Sequence, residues 1–174
     1  RLASHWIGVG QSKSMWDAAL GGHVGILRFG TRNPLYPEGW QLDFEGAAFP
    51  RLTLDSYRDV LATEYRAGVP LSYRRGPFEA KVGYYHLSSH IGDEYLLRYP
   101  TFPRLNFLRD VVVLGVGLRP NEDLRLYAEA GYAFNIDGGS EPWEFQFGVE
   151  YSPLRPTGFW PDPFLAVNGR LREE

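Results

Sequence analysis

Side chains that could carry out chemistry are concentrated in the segment YYHLSSHIGDEY, residues 84–95. His86 and Ser88 are two positions apart, so they share one face if this segment is an extended strand. Asp110 lies on the apolar face of the next alternating segment, and antiparallel pairing of Ser88 with Leu108 would bring it beside His86. Hydroxyl, imidazole and carboxylate are the groups that nucleophilic acyl transfer requires, because the serine attacks, the histidine takes its proton and the aspartate orients the imidazole. The predicted catalytic set is therefore His86, Ser88 and Asp110.

Two other interpretations of this region stay open. His, Ser and Tyr side chains are accepted at the surface of a membrane protein near the headgroups, and one Asp near a strand end costs little, so the three residues also suit a structural role. Asp93 and Glu94, with His90 nearby, offer ligands for a hard cation such as Ca²⁺. Two carboxylates and one histidine are few ligands, and a solvated loop is the favoured interpretation of these residues.

The elements that would hold these residues show a period of two in hydrophobicity. Apolar and polar residues alternate in the segments HVGILRFG, WQLDFEGAAF, DVLATEYRAGVPLSYRR, FEAKVGYYHLSS, FLRDVVVLGVGLR, LRLYAEAGYAFNI, WEFQFGVEY and FLAVNGRLREE. Turn signals such as RRGP, RPNED and DGGSEP separate several of them. This alternation predicts an all-β fold, an antiparallel meander of about eight strands. We expect an N-terminal segment over residues 1–22 and a β-barrel domain over residues 23–174.

Several observations predict that the charged face of these strands is the inner one. Six glycines fall on that face, where the narrow lumen of a small barrel needs small side chains: Gly68, Gly83, Gly115, Gly117, Gly131 and Gly148. The same face mixes acidic and basic residues that could pair internally. The segments are close to the roughly 9–11 residues with which a tilted strand crosses a bilayer. We therefore predict a transmembrane β-barrel, complete or truncated, with its apolar face towards lipid.

Aromatic residues and loop lengths add two expectations for such a barrel. The aromatic residues near the segment ends are predicted to form interfacial girdles: Trp40, Tyr73, Phe78, Tyr132, Trp143 and Tyr151. The short turns RRGP and RPNED are predicted to be periplasmic, and the long stretch 89–105 external. The HLSSH segment would then lie at the outer end of its strand.

Composition excludes several other classes of protein. The 174 residues carry a formal net charge of -3, which provides no basic surface for nucleic acid. The chain has no cysteine, so disulfides, thiol chemistry and cysteine zinc sites are excluded. No apolar run approaches the roughly 18 residues of a membrane-spanning helix. The favoured function is that of a bacterial outer-membrane barrel with a charge-paired lumen and a structural or interaction role, with membrane lipid, lipopolysaccharide or other outer-membrane proteins as partners.

The first alternative function is a serine acyl hydrolase that acts on lipids. The pair His86-x-Ser88 on a lipid-facing strand resembles outer-membrane phospholipase A and the outer-membrane lipid A 3-O-deacylase. The resemblance implies that His86 is the base and Ser88 the nucleophile, with a polar third residue from a neighbouring strand. Ser89 stands where those families usually have Asn. Apart from the cation that Asp93 and Glu94 could bind, no cofactor is expected unless the chain is this hydrolase, for which Ca²⁺ is the candidate.

The second alternative is a soluble, lipocalin-like carrier. Its apolar face would turn inward around a ligand. The six glycines of the charged face would then lie on the outside, which argues against this alternative.

A second resemblance covers more of the chain. The segments YYHLSSHIGDEYL, NFLRDVVVLGVGLRP, LRLYAEAGYAF and PFLAVNGRLREE are similar to a bacterial family known as domain of unknown function 1207. The resemblance implies an exported β-barrel protein without an assigned activity, and a family pattern that continues beyond the last of these segments. It supports the fold class and offers no mechanism.

Overall fold

The computed structural model describes residues 2–9, 13–33, 35–54, 58–103, 106–153, 158 and 162–172. Within them lie nine strands and one short helix: β1 (Leu2–Val9), β2 (Lys13–Gly30), β3 (Gly39–Thr53), β4 (Val60–Arg75), β5 (Phe78–Ile91), α1 (Asp93–Arg98), β6 (Phe107–Leu118), β7 (Leu124–Asp137), β8 (Trp143–Tyr151) and β9 (Leu165–Arg172). Each strand pairs antiparallel with the next, and the single sheet is curled into a half-barrel. The predicted all-β antiparallel meander is confirmed. The described part of the chain has no helix of the length and apolarity that crossing a membrane requires.

The strand count and the N-terminal boundary differ from the sequence prediction. The sequence predicts about eight strands, and the described residues contain nine. The additional strand is β1, which lies within the predicted N-terminal segment 1–22. β1 pairs with β2 along its whole length, and positions 22 and 23 both lie inside β2, so the sheet continues through the predicted boundary. Between positions 2 and 20 only Lys13 and Asp17 are charged, so the polar face of these strands is poorly marked in the sequence.

The two faces of the sheet differ in exposure and in chemistry. Large apolar side chains are exposed on one face, including Leu114 at 62% and Phe147 at 50%. The opposite face buries charged groups, with Arg109 at 0% and Glu144 at 8% exposure. Because Tyr85 of β5 donates a hydrogen bond to Glu144 of β8 across two intervening strands, this charged face is the concave one. The apolar face is therefore convex, as predicted, and a lipocalin-like carrier, which needs that face inside, is contradicted.

Glycines on the concave face leave room for carboxylate side chains of other strands. A Cβ atom added to Gly131 would lie 2.7 Å from Cγ of Glu144, and one added to Gly117 would lie 3.1 Å from Cβ of Glu79. Both distances are shorter than the about 3.5–4.0 Å at which carbon atoms pack favourably. A side chain at position 131 would therefore force Glu144 to move, and one at position 117 would push Glu79 aside by a few tenths of an ångström.

Ion pairs on the concave face join strands that are not neighbours in the sheet. Lys81 of β5 pairs with Glu129 of β7 across β6, and a Cβ added to Gly115 of β6 would lie 3.2 Å from Cγ of Glu129. Nε of Arg125 in β7 lies 2.7 Å from Oε2 of Glu79 in β5. Such contacts draw β5 and β7 together on the concave side, because the intervening strand carries no side chain at the crossing points. These pairs therefore stabilise the curl of the sheet from its concave side.

The sequence predicts short turns at one end of the sheet and a long connection at the other, but the structure does not divide short and long connections in this way. The turn at residues 76–77 and the connection 119–123 lie at one end, here called the tight-turn end. The connection 92–106, which contains α1, lies at the other end, here called the helix end. β8 ends and β9 begins at the tight-turn end, although the long stretch 152–164 separates them in the sequence. The predicted periplasmic and external ends are therefore not distinguished by this criterion.

Replacing Gly131 with alanine tests the packing of the concave face. The new Cβ would displace Glu144, which accepts a hydrogen bond from Tyr85 and lies 3.1 Å from Nη2 of Arg170. We expect the free energy of unfolding of Gly131→Ala to fall by about 1–3 kcal/mol, the range for an overpacked site. The measurement is urea unfolding of the purified protein.

Gly22→Ala is the matched control, because nothing lies within 4 Å of a Cβ added at this position of β2. It reports the effect of losing a strand glycine without a new contact. If Gly131→Ala is no less stable than Gly22→Ala, the packing role of Gly131 is contradicted.

Candidate functional site

His86 and Asp110 meet on the convex face, where β5 and β6 pair. His86 lies opposite Asp110 and Ser88 lies opposite Leu108, which is the register that the sequence predicts. Nδ1 of His86 lies 2.8 Å from Oδ1 of Asp110, a hydrogen-bond distance. The structure therefore brings two of the three predicted catalytic residues into direct contact.

Two residues that the sequence prediction did not include complete this cluster. Tyr84 donates its hydroxyl hydrogen to Oδ1 of Asp110 at 2.6 Å, and Asn135 donates from Nδ2 to Oδ2 at 2.7 Å. An ionised carboxylate only accepts hydrogen bonds, so Nδ1 of His86 carries the proton in this arrangement. We call these four residues the Asp110 cluster. Tyr84 is two positions before His86, so the period of two already indicates that it shares the same face.

A β-bulge explains why the alternation did not indicate Asn135. Asp110 lies opposite Asn135, but Val111 lies opposite Ala133, so Phe134 is an extra residue in β7. After a bulge, residues that would have pointed to one face of the sheet point to the other. A regular strand would have turned Asn135 to the concave face with Ala133, away from the carboxylate.

Ser88 lies on the face of His86, two residues nearer the helix end of β5. Its neighbours across the ladder are Tyr65 and Leu108. Among the residues that the structure describes, no partner hydrogen-bonds its hydroxyl. Two residues advance a strand by about 6.6 Å, so contact with His86 requires the two side chains to lean together. Ser88 is thus next to the Asp110 cluster without being part of it.

The backbone under the cluster is fixed by buried neighbours. His86 and Asp110 are 37% and 14% exposed in their side chains. The residues on either side of each point to the concave face and are nearly or fully buried: Tyr85 and Leu87 at 3% each, and Arg109 and Val111 at 0% each. A polar constellation keeps its geometry when the elements that carry it are held by packing. Both strands meet that condition on each side of the cluster.

The predicted cation ligands lie elsewhere. Asp93 and Glu94 are exposed in the first turn of α1. Across the described ranges, no three His, Cys, Asp or Glu side chains are grouped so that they could hold a metal ion. Ca²⁺ takes about six to eight oxygen ligands, so these two carboxylates do not by themselves fit a calcium site. Their metal-binding role stays a prediction.

A cavity of about 310 Å³ opens on the concave face towards the tight-turn end. Its lining includes Glu79, Lys81, Arg125 and Glu129. Lys81 pairs with Glu129, and Glu79 pairs with Arg125 and, at 2.6 Å, with Nε of Arg119. Glu79 and Glu129 are thus paired with cations of the protein itself.

The chain was compared with protein families, curated proteins and solved structures. No curated protein and no solved structure matches it. One family does, the family described as protein of unknown function (DUF1207), over residues 11–174. The matched range contains β2 to β9 and with them the whole Asp110 cluster. The chain therefore belongs to this family of proteins of unknown function, DUF1207.

Proposed function

We propose that the chain forms a β-barrel, or part of one, in a bacterial outer membrane, with its convex face towards lipid. The observation that carries the proposal is the row of large, exposed apolar side chains on that face, among them Val82, Leu114, Val116, Phe145, Phe147 and Val149. Soluble monomers rarely expose contiguous apolar patches of more than a few hundred Å². Contact with lipid removes such a surface from water, which is favourable by about 25 cal/mol per Å².

Aromatic pairs on the convex face support this proposal. The rings of Trp40 and Tyr73 lie 4.6 Å apart near the tight-turn end, and those of Tyr132 and Trp143 lie 5.0 Å apart towards the helix end. Trp and Tyr side chains favour the membrane–water interface, where their rings meet apolar chains and their polar atoms meet water. Two aromatic levels with apolar side chains between them are what a transmembrane barrel requires.

The concave face suits a narrow lumen. Its charges pair within the protein, as Arg66 does with Glu45 at 3.0 Å. Glycines admit the paired side chains to the space between strands. A barrel interior filled in this way favours a structural or interaction role over a wide aqueous channel. Its partners would be outer-membrane lipid, lipopolysaccharide or other membrane proteins.

An arginine on the convex face tests the contact with lipid. Leu114→Arg would place a charge among the apolar side chains that face lipid in this proposal. We therefore expect the free energy of unfolding in phospholipid vesicles to fall by about 2–4 kcal/mol. Leu97→Arg is the control, because Leu97 lies in α1, outside the sheet, and is 82% exposed. A change within about 0.5 kcal/mol is expected there. The proposal is wrong if Leu114→Arg is as stable as the wild type in vesicles, or if the wild type stays soluble and monomeric without detergent.

A second function, an acyl hydrolase acting on outer-leaflet phospholipid or lipopolysaccharide, is favoured by the 2.8 Å contact of His86 with Asp110. The contact uses Nδ1 and leaves Nε2 as the base. In the proposed reaction Nε2 takes the proton of the Ser88 hydroxyl while Oγ bonds to the ester carbonyl carbon. The alcohol then leaves with that proton, and water hydrolyses the acyl-serine to a free fatty acid and regenerates the hydroxyl.

Alanine variants test the hydrolase. We expect Ser88→Ala and His86→Ala each to lower fatty-acid release by at least about 10³-fold, because each removes a group that bonds or transfers a proton. Release is measured from micelles of mixed phospholipid and lipopolysaccharide, with and without added Ca²⁺. Ser89→Ala is the control, since Ser89 is the next serine on β5 and points to the concave face. If the wild type releases no fatty acid in either condition, the hydrolase is contradicted and the barrel proposal is unaffected.

A further inference from the structure

We propose that Tyr84 and Asn135 are positioning residues, which hold the Asp110 carboxylate so that it keeps His86 in the tautomer protonated at Nδ1. Their hydrogen bonds go to Asp110, so they act through it and not on a substrate. The catalytic consequence rests on the hydrolase function proposed above. The tautomer itself is a property of the folded protein and is measurable without any activity.

Three donors fix the Asp110 carboxylate through both of its oxygens. Oδ1 accepts from the Tyr84 hydroxyl at 2.6 Å and from Nδ1 of His86 at 2.8 Å, and Oδ2 accepts from Nδ2 of Asn135 at 2.7 Å. A carboxylate held in this way cannot rotate about its Cβ–Cγ bond without losing a hydrogen bond. The Asp110 side chain is 14% exposed, so water has limited access to replace a missing donor.

The backbone departs from a regular strand at the position that brings Asn135 into the cluster. Without the bulge, Phe134 would lie opposite Asp110, and a phenyl ring has no N–H or O–H group to donate to a carboxylate. With the bulge, the amide of Asn135 takes that position, and the Phe134 ring lies 6.2 Å from the ring of Tyr84. Bulges beside active sites re-aim side chains in this manner. The bulge thus supplies a donor on the side of the carboxylate opposite to Tyr84 and His86.

The tautomer matters because a general base needs an unprotonated nitrogen that faces its target. With the proton on Nδ1 and bound by Asp110, Nε2 of His86 keeps its lone pair and can accept the proton of a hydroxyl. If the carboxylate turns away, the proton is free to move to Nε2 and the base is lost. Tyr84 and Asn135 should therefore affect kcat and leave substrate binding nearly unchanged.

Nitrogen NMR of isotope-labelled histidine in detergent micelles tests the tautomer, with the His86 signal assigned from its loss in His86→Ala. The wild type should show neutral His86 mainly in the Nδ1-protonated form. Tyr84→Phe and Asn135→Ala should each raise the share of the Nε2-protonated form, and the double variant should raise it further. Tyr132→Phe is the control, since this convex-face tyrosine contacts the ring of Trp143 and makes no hydrogen bond to Asp110. It should leave the tautomer unchanged.

Kinetics provide the second readout. Each single variant should lower kcat for fatty-acid release about tenfold, the effect of one hydrogen bond to a charged group, with KM nearly constant. A wild type that releases no fatty acid would contradict the hydrolase, and the NMR result would still decide the positioning role. That role is overturned if wild-type His86 is protonated at Nε2, or if the double variant keeps the wild-type tautomer.

Discussion

The fold depends on carboxylate side chains that lie over glycines on the concave face of the sheet. At such a crossing, glycine removes the side chain that would stand between two strands, and an acidic residue of another strand occupies the space. The acid then reaches a cation beyond the intervening strand, as Glu129 reaches Lys81 across β6. Each pair of this kind shortens the concave side relative to the convex side. A sheet built in this way curls with its charges inside and leaves its apolar side chains on the larger, outer surface.

This division makes a carboxylate on the convex face an exception that needs an explanation. A charge among apolar neighbours is unfavourable unless hydrogen bonds replace the water that it loses. Asp110 meets this condition through donors from two neighbouring strands, and a bulge in β7 is required to supply one of them. Within the proposed barrel, Asp110 lies beside the aromatic level of Tyr132 and Trp143, on its helix-end side, so the cluster would be at the membrane–water interface.

The sequence predicts most of the fold but only part of the Asp110 cluster. The features that it does not predict have physical explanations. Strict alternation identifies the strands, and the glycines of the charged face indicate that this face is the inner one. Pairing Ser88 with Leu108 then predicts the register that places His86 opposite Asp110. The bulge at Phe134 breaks that alternation without a local signal, so Asn135 could not be assigned to the convex face. β1 is not predicted because it contains no Lys, Arg, Asp or Glu that would mark a polar face. Because both ends of the sheet have a long connection, loop lengths do not distinguish the two ends, and the assignment of a periplasmic and an external end stays a prediction.

The ion pairs of the concave face and the Asp110 cluster of the convex face use different residues, because successive side chains of a strand point to opposite faces. In β5 and β6 the odd-numbered residues pack or pair on the concave side, and the even-numbered residues form the convex surface. His86 and Asp110 each lie between two of the most buried residues in the described part of the chain. The packing that holds the interior together therefore also fixes the two backbone positions on which the Asp110 cluster is built. A substitution on the concave face that moves the backbone of β5 or β6 therefore also alters the geometry of the Asp110 cluster, without contact between side chains of the two faces.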